Sequence, residues 1–147
     1  MSSENIVILR QIENFHFEHD FGAGLPKYES DLPAPPGGGK GPSPEQLLLA
    51  AVGACLSSSF HFAMTKFHET SGGITTTATA SIGRDEQKNL RVQGIDIAIR
   101  FAAAAADIGH LENILQFERF CTVGASVARG IPLHVTVTDG DGVVVKP

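Results

Sequence analysis

What this chain has little of narrows its class before any motif is considered. Basic charge is sparse, with 11 Lys and Arg against 16 Asp and Glu and a formal net charge of -5. The basic residues are scattered, so no cationic stripe is available to a nucleic-acid backbone. No uninterrupted apolar run reaches the roughly 18 residues that crossing a bilayer takes. The opening, MSSENIVILRQIEN, has neither the basic start nor the long apolar centre of a secretion signal. Together these absences predict a cytoplasmic protein with neither nucleic acid nor membrane as a partner. There are only two cysteines, Cys55 and Cys121. In a reducing compartment they are not expected to form a permanent staple, which leaves them as small buried apolar residues or as a redox pair. At 147 residues the chain is sized for one domain, residues 1–147, and is small enough for burial against a partner to matter.

The patterning that is present reads as mixed α and β structure. An amino-terminal section, 1–43, opens with strands. In NFHFEHDF, Phe15, Phe17 and Phe21 alternate with His16, Glu18 and Asp20, the period of a half-buried strand. KYESD can return as a second strand, and LPAPPGGGKGPSP then breaks all regular structure. Ser43 before Pro44 is a helix start, the serine as cap and the proline at the first helical position, where its missing N–H costs nothing. The spacing predicts a long central helix over 44–68 and a hairpin over 73–102. Shorter helices follow over 106–130, and a terminal hairpin over 131–147 turns at DGDG. Hairpins interrupted by helices point to an α+β fold in which antiparallel sheet covers the long helix.

On that helix Leu48, Ala51, Cys55, Ser58 and Phe62 fall on one stripe. Ala50, Ala51, Gly53, Ala54, Ser57 and Ser58 surround Cys55 with almost no side chain, so another backbone, such as that of a second copy, can approach. A cysteine in such surroundings is by itself most simply an inert packing thiol.

PEQLLLAAVGACLSSSF and FCTVGASVARGIPLHVTV resemble the two cysteine motifs of the OsmC/Ohr superfamily, which includes osmotically inducible protein C and the organic hydroperoxide resistance proteins. The order of elements fits that family along most of the chain. The resemblance implies antiparallel sheets wrapped around central helices in an intertwined homodimer. It implies a thiol peroxidase that reduces organic hydroperoxides, with Cys55 as the peroxidatic and Cys121 as the resolving thiol. It implies re-reduction by a dithiol such as a lipoyl group, with no bound cofactor and no metal. Phe15, Phe17, Phe60 and Phe62 are candidates for an apolar substrate wall. The alternative is a non-catalytic OsmC-like dimer that binds an apolar small molecule or partner. A thiol-dependent hydrolase ranks last, because no histidine is placed in the sequence to pair with Cys55 as base.

Two residues carry the expectation further. Glu45 matches the family's acidic active-site residue, yet a rise of about 1.5 Å per residue puts it roughly 15 Å along the axis from Cys55. It would therefore act from the partner subunit; its simpler role is to complement the helix dipole. The family balances this acid with an arginine from the amino-terminal strands, and none matches here. Of the fixed cations Arg10, Lys27 and Lys40, we take Lys27 as the replacement, with His16 and His19 as further possibilities. Thr122 stands where many members carry proline.

Other signals carry no chemistry. GGGKG lacks the following serine or threonine and the preceding strand of a phosphate loop. DGDG lacks the later acidic ligand of a calcium loop. His61 and His68 are nearly two turns apart on one helix, too far to share a metal without other ligands.

Overall fold

Alternating sequence becomes strand at both ends of the chain. In the computed structural model, residues 4–147 are described, and the chain divides into two units, Met1–Leu48 and Leu49–Pro147.

The first unit is a three-stranded antiparallel sheet in the order β1 (Ile8–Glu13), β2 (His16–Asp20), β3 (Tyr28–Ser30). Asn14 makes the β1–β2 turn at φ 46°, a left-handed conformation that asparagine tolerates better than most residues. The structure departs from the sequence reading of β2 at His16, which alternation put on the polar face. His16 and His19 are buried while Phe15 and Phe21 are exposed. The cause is local: His16 Nε2 meets Glu29 Oε2 at 2.7 Å and His19 Nε2 meets Ser30 Oγ at 2.6 Å, so β3 gives each buried ring a partner at Nε2. A loop then returns past β3. A Cβ on Gly41 would lie 2.5 Å from the Glu29 carbonyl oxygen, so only glycine fits there. The unit ends in a reciprocal cap. Ser43 Oγ accepts from the Gln46 N–H at 3.2 Å, and the Ser43 N–H donates to Gln46 Oε1 at 2.9 Å.

The helix that this cap starts, α1, spans Pro44–Lys66. By length and composition alone it is apolar enough to cross a membrane. Counting uninterrupted apolar residues missed this, because Gly53 and the three serines 57–59 interrupt the run while the helix as a whole stays apolar.

The second unit is a four-stranded sheet in the order β4 (Ile74–Arg84), β5 (Leu90–Phe101), β6 (Leu133–Thr138), β7 (Val144–Lys146). The β4–β5 and β6–β7 pairs are antiparallel, as expected for hairpins, but β5 and β6 run parallel, with Ile97 beside Val135 and Ile99 beside Val137. A parallel pair needs a long crossover, and residues 102–132 supply it. That crossover is a series of short helical pieces: a 3-10 turn at Ala105–Asp107, α2 (Leu111–Ile114), a second 3-10 turn at Phe117–Phe120, and α3 (Thr122–Val127). A single helix over residues 107–120 does not form, since His110 sits at φ 56°.

Val52, Gly53, Leu56, Ser59, Phe60, Ala63 and Met64 form the buried face of α1. Gly53 lets the helix approach β4, where a Cβ would be 3.8 Å from Ala78 and Thr76 side-chain carbons. Ser57 Oγ reaches Thr76 Oγ1 at 2.6 Å. Phe60 is the hub, with ring centroids 5.5 Å from Phe101 and 5.3 Å from Phe117. These three rings are fully buried.

Candidate active site

The face of α1 that carries Cys55 is the one its own unit leaves open. Ala51, Ser58 and Phe62 are exposed and Cys55 is half-buried, so the stripe drawn from the sequence is not the core face. Cys121 is buried, at 2% exposure, and serves as the N-cap of α3. Both thiols are free.

The helical crossover folds so that the start of α3 meets Cys55. The Gly124 N–H donates to Cys121 Sγ at 3.1 Å. A Cβ on Gly124 would sit only 2.9 Å from that sulfur, so the glycine gives the Cys121 thiol its room. Cys55 receives the Cys121 thiol as a neighbour, together with the backbone N–H groups of Val123, Gly124 and Thr122.

Ionisation of the two thiols is driven apart by this arrangement. Burial opposes charge on Cys55, but donation from Cys121 and from the three backbone N–H groups outweighs it, and the Cys55 pKa falls below its ordinary value. For Cys121 burial again opposes charge and the facing Cys55 adds to it, while the Gly124 N–H and Ser59 hydroxyl oppose the rise only in part. The Cys121 thiol is pushed up to about 11. One thiol is thus disposed to be the nucleophile and its neighbour to remain protonated. A proline at position 122 would have no N–H to give; Thr122 supplies one.

Gly124 and Ser59 are the site residues that the sequence did not reveal. Nothing local marks either; Ser59 lies one turn beyond Cys55 on α1, and its contact with Cys121 depends on where the crossover returns.

The remaining charged candidates lie in the first unit. Glu45 is exposed in the first turn of α1, where an acid complements the helix dipole. Lys27 Nζ is 2.9 Å from Glu18 Oε1 and 4.0 Å from Asp20 Oδ2. Arg10 pairs with Asp20 at 3.4 Å, and Lys40 pairs with Glu13. Each fixed cation ahead of the helix therefore faces a carboxylate of its own unit. Phe60 belongs to the core, whereas Phe62 is exposed and packs on Phe120 with centroids 5.6 Å apart. Among the described residues no group of three His, Cys, Asp or Glu side chains is placed to hold a metal ion.

The model of the OsmC-like protein family matches residues 37–136. No curated protein matches the chain. Among solved structures, an organic hydroperoxide resistance protein OsmC from Legionella pneumophila is 18% identical with a TM-score of 0.70, covering 92% of this chain and 96% of that one. An organic hydroperoxide resistance protein from Elizabethkingia anophelis is 17% identical with a TM-score of 0.73, covering 95% and 99%. An OsmC-like protein of unknown function from Vibrio cholerae is 15% identical with a TM-score of 0.76, covering 92% and 99%. At these identities the likeness is one of fold.

Proposed function

The chain belongs to the OsmC-like protein family, and from that premise we propose that it is a cysteine-based peroxidase that reduces organic hydroperoxides to alcohols. The observation that carries the reading is the meeting of Cys55 with Cys121 and the start of α3, which lowers the pKa of the first thiol and raises that of the second.

The chemistry follows from those positions. The Cys55 thiolate attacks the terminal oxygen of ROOH and the O–O bond breaks. The sulfur becomes a sulfenic acid and RO⁻ leaves, taking a proton to give the alcohol. Cys121 sulfur then attacks the sulfenic sulfur, an S–S bond forms, and the hydroxyl leaves with the Cys121 proton as water. An external dithiol, lipoyl-type by family resemblance, takes the two oxidising equivalents and restores both thiols. The backbone N–H groups of residues 122–124 supply the positive end of a dipole where the family's arginine would supply a charge. Glu45 acts, in this reading, from the partner subunit of a homodimer. Lys27, already held by Glu18 and Asp20, is a weaker candidate for the replacement cation than the sequence suggested.

The second reading, a non-catalytic dimer that binds an apolar molecule, is favoured by the pairing of Arg10, Lys27 and Lys40 with carboxylates. Steady-state consumption of cumene hydroperoxide with dihydrolipoamide as reductant separates the two. Turnover lost in Cys55→Ser and strongly reduced in Cys121→Ser supports the peroxidase. Slow consumption that ignores Cys55 supports the binding protein.

A further inference from the structure

We infer that the first unit holds a binding site for a primary ammonium group, formed by His16 and Asp31 beneath the 36–40 loop. Both side chains are more than nine-tenths buried, at 7% and 3% exposure. Each uses one polar atom structurally. His16 Nε2 meets Glu29 Oε2 at 2.7 Å, and Asp31 Oδ2 accepts from the backbone N–H groups of Gly38 at 3.1 Å and Lys40 at 3.2 Å. Their other atoms, His16 Nδ1 and Asp31 Oδ1, are buried with no hydrogen-bond partner. A cavity of about 180 Å³ is lined by both residues together with Glu13, Asn14, Pro36 and Lys40.

The protonation pattern fixes what the cavity lacks. An ionised Glu29 carboxylate can only accept, so the His16 ring donates to it from Nε2, and in that tautomer Nδ1 carries a lone pair. Asp31 Oδ1 is likewise an acceptor. Although its burial opposes charge, the N–H groups of Lys40, Gly38 and Leu32 hold the carboxyl below its ordinary range, so it is ionised at neutral pH. Two buried acceptors without a donor are an arrangement that folded proteins avoid. The charge nearby has the same implication: Lys40 is paired with Glu13, Glu29 carries a further negative charge, and the site is electronegative. A metal ion is the poorer occupant, because among the described residues no group of three His, Cys, Asp or Glu side chains is placed to hold one. A primary ammonium brings N–H donors for both acceptors and a positive charge for Asp31, and the cavity has room for a short carbon substituent.

The test uses the intact protein, labelled with ¹⁵N, and follows the ring nitrogens of His16 during titration with methylammonium chloride. Potassium chloride at matched ionic strength and tetramethylammonium chloride, which has the charge but no N–H, are the controls. The expected result is a saturable shift of the His16 Nδ1 resonance with methylammonium alone, abolished in Asp31→Asn, whose amide can present a donor to the cavity instead. No saturable shift in the millimolar range, or equal responses to methylammonium and tetramethylammonium, would overturn the inference and leave water as the occupant. Should Asp31→Asn fail to fold, the contrast between the two cations in the unaltered protein still decides.

Discussion

Cys55 and Cys121 are chemically the same side chain, and their surroundings make them different reagents. The N–H groups at residues 122–124 favour the thiolate of Cys55, while burial and the facing sulfur keep Cys121 protonated with a pKa of about 11. Since the thiolate is the nucleophile, the Cys55 reaction rate must rise as pH increases through its lowered pKa and level off above it. Alkylation by iodoacetamide, followed by intact mass across pH, is expected to show Cys55 modified first, with a midpoint below that of an ordinary thiol, and Cys121 untouched until strongly alkaline pH. A Cys55 midpoint at or above the ordinary value would refute the electrostatic account. Gly124 provides a second test at this scale. Gly124→Ala places a methyl group 2.9 Å from Cys121 Sγ, and is expected to cost about 1–3 kcal/mol in urea unfolding and to slow disulfide formation with Cys55. An unchanged variant on both counts would mean that the close approach is not restrictive. The cysteines were visible in the sequence; the glycine and Ser59 were not, because their roles depend on contacts between distant segments.

Local signals in the sequence located the elements wherever one residue pattern was sufficient. Ser43-Pro44 marked the start of α1, and the structure adds the reciprocal partner, Gln46. Ser43→Ala is expected to destabilise the protein by about 1 kcal/mol in urea unfolding, with Ser43→Asp restoring most of the loss, since aspartate caps as well as serine. Loss of stability that aspartate does not restore would assign Ser43 a role other than capping. The strands β4 and β5 were equally legible, from alternation that ends at a charged turn. Where placement depends on distant pairing, the sequence was silent or misleading. The parallel β5–β6 pair has no local signature, and β2 was misread at His16, which alternation assigned to the polar face and which Glu29 on β3 engages at a buried position. Hydrophobic spacing placed the Cys55 stripe correctly on one face of α1 but could not say that the sheet occupies another.

For the molecule as a whole, the homodimer of the proposed reading gives the exposed apolar residues of the first strand a cover. Ile8, Leu9 and Ile12 of the edge strand β1 are each about half exposed, and Ile6 just before it is 69% exposed. An edge strand apolar on both faces is a liability unless another chain covers it. Sedimentation is expected to report twice the 15.5 kDa chain mass, and an Ile8→Lys, Leu9→Lys variant is expected to shift toward the single-chain mass with a large loss of peroxide turnover. A monomeric unaltered protein would remove the partner-subunit role given to Glu45. The account's central claim concerns the two sulfurs, and one measurement tests it most directly: intact mass and peptide mapping of the reduced protein within seconds of adding one equivalent of cumene hydroperoxide. The account predicts a loss of two hydrogens, located to a Cys55–Cys121 disulfide, with Cys121→Ser instead gaining one oxygen on Cys55. Recovery of both thiols unchanged beside unconsumed peroxide would contradict it.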